Sequence, residues 1–139
     1  MPTPIATVES YMATFPTTIS PTETIAQARR KLSEHGIHHL PVMENGRLLG
    51  VVTDRDLELL ASFLDHSAQN VKVAAVMTAP AFSVRRLAPV DEVVKEMVTR
   101  RYSSAIVMDG LEVVGVFTDR DGLRAFADFM SGRIPAALE

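Results

Sequence analysis

Cysteine and tryptophan are absent from the 139 residues, and aromatic side chains amount to two tyrosines and six phenylalanines. Without cysteine there is no disulfide, no thiolate metal site and no thiol nucleophile. That composition fits a reducing compartment such as the cytoplasm. A basic excess is also lacking, since the formal net charge is −3. Nucleic-acid binding is therefore not expected, because neutralising phosphates takes clustered Lys and Arg. The short basic stretches Arg29-Arg30-Lys31 and Arg100-Arg101 read as solvated surface. Long hydrophobic runs are missing as well. The longest, such as residues 48–52, fall far short of the roughly 20 apolar residues that a membrane-spanning helix needs. Met1-Pro2-Thr3-Pro4 does not begin a basic region followed by a long apolar stretch, so no signal peptide is expected. These absences together predict a soluble, cytoplasmic chain with no membrane partner.

What is present is a globular composition, 47% hydrophobic, and an internal repeat. Gly50-Val51-Val52-Thr53-Asp54-Arg55-Asp56 returns as Gly115-Val116-Phe117-Thr118-Asp119-Arg120-Asp121, 65 residues later. The same offset carries Met12 onto Met77, Ile19 onto Val84, Leu32 onto Met97 and Val42-Met43 onto Val107-Met108, without a gap. Self-similarity at one period means two copies of one structural unit. The copies are expected over residues 10–66 and 75–131, with a join around 67–74 and tails at 1–9 and 132–139.

Each copy reads alike. Ser20-Pro21-Thr22-Glu23 resembles a helix start, and Ile25, Ala28 and Leu32 then recur at helical spacing. Gly36 is suited to end that helix in a left-handed conformation. Residues 38–43 read as a strand and Asn45-Gly46 as a hairpin turn. Residues 47–52 form the partner strand, apolar on both faces. A second helix follows from 53 to about 64. In the second copy the helices are expected over 89–100 and 118–129 and the strands over 103–108 and 112–117. Short strands near Thr18-Ile19 and Ser83-Val84 precede the helices. The order is β-α-β-β-α twice, an α/β (α+β) fold. A unit of about 60 residues is marginal alone, so the two are expected to pack sheet to sheet with pseudo-two-fold symmetry.

A strand ending in Gly-h-h-Thr-x-x-Asp at a helix start (h, apolar), occurring twice, resembles a pair of cystathionine-β-synthase-type (CBS) domains. The stretch Ile37-His38-His39-Leu40-Pro41-Val42 and the segment Met77-Thr78 fit the same pattern. The resemblance spans nearly the whole chain. It is similar to small stand-alone bacterial CBS proteins and to the CBS part of acetoin-utilisation-type regulators.

The duplicated motif has chemistry of its own. A strand running into a helix N-terminus presents unpaired N–H groups and the positive end of the helix dipole, an anion site suited to phosphate. Thr53 and Thr118 add hydroxyl donors. The ionised carboxylates of Asp56 and Asp121 only accept hydrogen bonds, so each suits the paired hydroxyls of a ribose. Family resemblance implies the same assignment, with adenine between strand residues and backbone. The pocket residues would be Thr18, Ile19, His39, Leu40 and Pro41, and in the second copy Ser83, Val84, Ser104, Ala105 and Ile106. Arg55 and Arg120 either offset phosphate charge or face solvent. Thr-x-x-Asp also approximates a helix capping box, and capping and binding do not exclude each other. The copies differ where Pro41 is matched by Ile106, His39 by Ser104, Leu57 by Gly122 and Ser20-Pro21 by Arg85-Arg86. These differences either weaken adenine packing in one site or set an arginine beside its phosphate.

No metal site is expected from His35, His38, His39 and His66, because adjacent residues of a strand point to opposite faces. No catalytic residue is expected either: Ser103-Ser104 lacks an elbow motif, and the Asp54/Asp56 and Asp119/Asp121 pairs are accounted for above. The expected function is non-enzymatic. A regulatory module binds AMP, ADP, ATP, S-adenosylmethionine or a dinucleotide in the cleft between copies and acts on an unidentified partner protein, with no other cofactor required. The resemblance also implies a disk-like homodimer. The alternatives are a structural dimerisation module with vestigial sites and a nucleic-acid-associated regulator.

Overall fold

The computed structural model describes residues 6–14, 17–63 and 69–133. Leu64, His66 and most of the C-terminal tail lie outside the described residues. The chain divides into two compact units, one of residues 16–81 and one of residues 1–15 with 82–139. Repeat and packing thus divide the chain differently: residues 8–14 lie in the unit of the second copy, and residues 73–78 in that of the first.

A 3-10 turn at Val8–Ser10 precedes strand β1 (Ala13–Thr14). The first copy follows with α1 (Ile25–His35), β2 (His39–Glu44), β3 (Arg47–Thr53) and α2 (Asp54–Phe63). The second has β4 (Ser83–Arg85), α3 (Val90–Arg100), β5 (Ser104–Asp109), β6 (Glu112–Thr118) and α4 (Asp119–Met130). This is β-α-β-β-α twice, with mixed sheets. In the unit of the second copy the strand order is β1-β6-β5-β4, with β4 parallel to β5 and the other pairs antiparallel. In the first, β2 and β3 form a hairpin, Ile19 bridges Val42 in parallel and Thr78 bridges Val51.

The glycine that opens each motif is required by these edge segments. A Cβ on Gly50 would lie 2.5 Å from the Thr78 carbonyl oxygen. One on Gly115 would lie 2.8 Å from the Ala13 carbonyl oxygen and 2.4 Å from Met12 Sδ. Such separations are too short for carbon, so only glycine lets the edge backbone dock.

The first helix starts later than its sequence suggests. Thr24 is its N-cap and forms a reciprocal capping box with Gln27, whereas Ser20 and Glu23 form a turn ahead of it, with the Ser20 N–H donating to Glu23 Oε2 at 2.8 Å. Gly36 ends α1 in the left-handed conformation at φ 61°, and Arg101 does the same at the end of α3.

Each unit has its own core. Ile19, Ile25, Ala28, Leu32, Leu40, Val42, Val52, Leu57 and Val73 form one. Val8, Tyr11, Val90, Val93, Met97, Ala105, Val107, Phe117 and Ala125 form the other. The copies fill equivalent space differently. Val52 and Leu57 correspond to Phe117 and Gly122, and a Cβ on Gly122 would stand 3.4 Å from Val94 and 3.9 Å from the Phe117 ring. The larger ring lies near the space that a side chain at 122 would enter, and so takes up part of the volume of the missing leucine.

Candidate functional site

Both motif copies place a strand end against a helix start in the same way. His39 lies opposite Thr53 across the β2–β3 ladder, and Ser104 lies opposite Thr118 across β5–β6. The Asp54 N–H donates to the His38 carbonyl at 3.1 Å, and the Asp119 N–H to the Ser103 carbonyl at 3.0 Å. The backbone frame of the two junctions is therefore equivalent. Their side chains are not.

At the start of α2, the Asp56 N–H donates to Thr53 Oγ1 at 3.1 Å. The threonine hydroxyl is thus an acceptor here and keeps its own hydrogen. Among the described residues, the Asp56 carboxylate accepts no hydrogen bond and the Arg55 N–H donates none. Asp54 Oδ2 lies 2.5 Å from His38 Nδ1. Three groups therefore stand unspent together: a hydroxyl, an amide at the positive end of a helix dipole and a half-buried carboxylate.

At the start of α4 the same groups are engaged. The Thr118 N–H and hydroxyl donate to Asp121 Oδ2 at 2.8 and 3.1 Å, and the Asp121 N–H returns to Thr118 Oγ1 at 3.4 Å, a complete capping box. The Arg120 N–H is taken by Asp119 Oδ1 at 2.8 Å. Arg124 Nη2 donates to the second Asp121 oxygen at 2.9 Å and to the Tyr11 carbonyl at 2.8 Å. Tyr11 in turn donates from its hydroxyl to Asp128 Oδ2 at 2.7 Å. Asp121 is buried, with 9% of its surface exposed. Burial and the hydrogen bond to Asp128 push the Tyr11 phenol from 10.0 up to about 12.

The other sequence-predicted positions divide between backbone and core. Ile19 and Leu40 point into the first core, and Ala105 into the second. Pro41, Ser104 and Ile106 are buried, whereas Thr18 and Val84 are half-buried and Ser83 is exposed. Ile19 exchanges backbone bonds with β2, its N–H to the Pro41 carbonyl and its carbonyl from the Met43 N–H. The Thr18 carbonyl accepts from Lys31 Nζ at 3.0 Å. Arg55 and Arg120 are exposed, and among the described residues neither guanidinium pairs with a carboxylate. Arg86 is committed elsewhere, 2.7 Å from Glu9 and 3.8 Å from Asp109. Among the described residues no group of three or more His, Cys, Asp or Glu side chains converges on a metal position. No helix among them is long and apolar enough to cross a membrane.

With this geometry, known sequences decide the lineage. CBS domain matches cover residues 8–59 and 73–128, most of the chain. The chain belongs to the CBS domain family. The two matches reproduce the duplicated unit and take in the edge segments at residues 12–14 and 77–78. The CBS domain-containing protein YhcV of Bacillus subtilis is 27% identical over 81% of this chain and 79% of its own length. An L-aspartate semialdehyde sulfurtransferase of Methanocaldococcus jannaschii is 33% identical over 91% of this chain, which spans 24% of that enzyme. Among solved structures, the CBS domain pair of protein MJ0100, in complex with 5-methylthioadenosine and S-adenosylmethionine, superposes with a TM-score of 0.80 at 27% identity. That similarity covers 91% of this chain and 99% of that one.

Arg124, Tyr11 and Asp128 were not singled out by the sequence reading. One signal in the repeat would have found them. At the offset of 65 their counterparts are Leu59, Val76 and Phe63, so three polar residues of one compact unit correspond to three apolar residues of the other.

Proposed function

We propose that this CBS pair is a regulatory module that reversibly binds an adenosine-containing ligand, with its principal contacts at the start of α2. Asp56 takes the ribose hydroxyls. The Thr53 hydroxyl and the Arg55 N–H take a phosphate or other anionic oxygen, with the Arg55 guanidinium offsetting its charge, and Thr18, His39 and Pro41 border the base. The observation that carries this reading is the coincidence of an unspent hydroxyl, amide and carboxylate at one junction. Support comes from the related domain pair of protein MJ0100, which holds 5-methylthioadenosine and S-adenosylmethionine.

AMP, ADP, ATP, S-adenosylmethionine and dinucleotides all carry the required ribose. Binding acts by favouring one conformation over another, and the target is a partner protein in the cytoplasm. The chain works as a small bacterial-type CBS regulator, for which the 79% coverage of YhcV is the support. A homodimer is part of the proposal. Leu123, Phe126, Phe129 and Met130 leave one side of α4 apolar and exposed, a surface suited to a second copy.

One observation favours a second, structural role for the other copy: its Thr118 and Asp121 are spent on the capping box. Thermal unfolding against a panel of adenine and guanine nucleotides, S-adenosylmethionine and cyclic dinucleotides tests the function. A ligand at 100 times its Kd adds about 2.7 kcal/mol, or several degrees. A shift confined to adenosine compounds is expected. No shift with any of them contradicts a sensing role and leaves the structural one.

A further inference from the structure

We infer that Arg124 is the residue that closes the second junction to ribose, so that the chain binds one adenosine ligand rather than two. This inference rests on the reading of Asp56 and Asp121 as ribose acceptors and goes beyond it by naming what separates them.

A ribose offers two hydroxyl donors to a carboxylate. At Asp121 both oxygens already have donors, Oδ2 from Thr118 and Oδ1 from Arg124. The arginine bond is charge-assisted and therefore among the stronger kinds. An exposed i,i+3 ion pair on a helix is usually worth little, because two long side chains must be held still. Arg124 differs in being anchored at a further point. The same Nη2 reaches the Tyr11 carbonyl, and Tyr11 is held by its own bond to Asp128. The guanidinium is thereby fixed over a carboxylate of which little is exposed. A ribose would have to displace it while leaving the Tyr11 carbonyl without that donor.

The first copy lacks the means to build this contact. Leu59 stands where Arg124 does, Val76 where Tyr11 does and Phe63 where Asp128 does. The motif itself, Thr-Asp-Arg-Asp, is identical in both. The difference lies one helical turn beyond it.

Calorimetric titration of the full chain with AMP and, separately, with S-adenosylmethionine tests the inference. Wild type, Asp56→Ala, Asp121→Ala, Arg124→Leu and Leu59→Arg are compared, with Arg124→Gln replacing the leucine variant if that one unfolds. The expected result is one equivalent bound by wild type and two by Arg124→Leu. Asp121→Ala keeps its affinity within about two-fold, whereas Asp56→Ala loses about ten-fold or more, as expected for hydrogen bonds to a charged group, and Leu59→Arg, which has no counterpart of the Tyr11 and Asp128 anchor, loses less than Asp56→Ala. Two equivalents in wild type, one of them lost in Asp121→Ala, overturn the role of Arg124 and leave the ribose reading standing. Undiminished affinity in Asp56→Ala overturns the ribose reading and the inference with it. So does the absence of binding by either probe to both wild type and Arg124→Leu.

Discussion

The junctions before α2 and α4 share the sequence Thr-Asp-Arg-Asp and the same backbone frame, yet one leaves its polar groups unspent and the other consumes them. A motif of this kind is therefore not a site by itself. Its threonine and aspartate close into a full capping box in one copy and not in the other. His38 pairs with Asp54 in the first copy, and Arg124 pairs with Asp121 in the second. Duplication supplied two equal frames, and the side chains one turn away made them unequal.

The largest expected effect separates binding from stability. Asp56→Ala should weaken an adenosine ligand by about 100-fold, the loss of two hydrogen bonds to a charged acceptor, with little change in melting temperature. Asp121→Ala should do the reverse. It leaves affinity nearly unchanged and costs about 1–2 kcal/mol in stability, because it breaks a capping box and frees Arg124. Equal behaviour of the two variants, in titration and in melting, would break the comparison.

A second pair addresses the frame that the copies share. Gly50→Ala and Gly115→Ala should each destabilise by about 1–3 kcal/mol, the usual cost of overpacking. Gly50→Ala should cost more, since its Cβ would lie 2.5 Å from a backbone oxygen, whereas at Gly115 the backbone oxygen is 2.8 Å away and the nearer atom, Met12 Sδ, belongs to a flexible side chain. Denaturant unfolding gives both values.

The threonines come next. Thr53→Ala and Thr118→Ala should each cost about 1 kcal/mol as lost N-caps. Only the first should also lower ligand affinity. Loss of stability without loss of affinity at Thr53 would reduce that junction to a cap.

The smallest effect sharpens the account of Arg124. The Tyr11 phenol is pushed up to about 12 by burial and by Asp128. A phenol raised on folding adds stability that is complete below its ordinary value of 10 and disappears as pH climbs through 12. Tyr11→Phe should thus cost about 1 kcal/mol at neutral pH and flatten the fall in stability between pH 10 and 12. In a Tyr102→Phe background, phenolate absorbance should rise near pH 12. A midpoint at 10 would mean that Tyr11 is not held as described.

Much of this was legible in the residues. The offset of 65 carried the two copies, and apolar spacing with Gly36 and Asn45-Gly46 carried the helices, the hairpin and their order. The capping reading of Thr118 and Asp121 was also available in the sequence. What local pattern could not carry was long-range pairing. Met12-Ala13 and Met77-Thr78 read as openings of their own copies, yet each docks on the motif strand of the other copy, at a glycine. The start of α1 is ambiguous in the sequence because Ser20-Pro21-Thr22-Glu23 carries the same cap chemistry as Thr24 to Gln27. Periodicity does not separate two caps four residues apart. At the site, the side chains of Ile19 and Leu40 belong to the first core. Alternation along a strand does not tell a core face from a ligand face when both are apolar. Arg124 escaped because its partners, Asp121 and the Tyr11 carbonyl, come from distant parts of the chain.

The most direct test of the central claim is an amide-resolved NMR titration of the full chain with AMP and, separately, with S-adenosylmethionine. Among the described residues the Arg55 N–H at the start of α2 has no partner, whereas its counterpart at Arg120 is held by Asp119. Saturable shifts of the Thr53, Arg55 and Asp56 amides, with those of Thr118, Arg120 and Asp121 nearly still, are predicted. Shifts centred on Arg120 and Asp121, or none at either junction with either ligand, would contradict it.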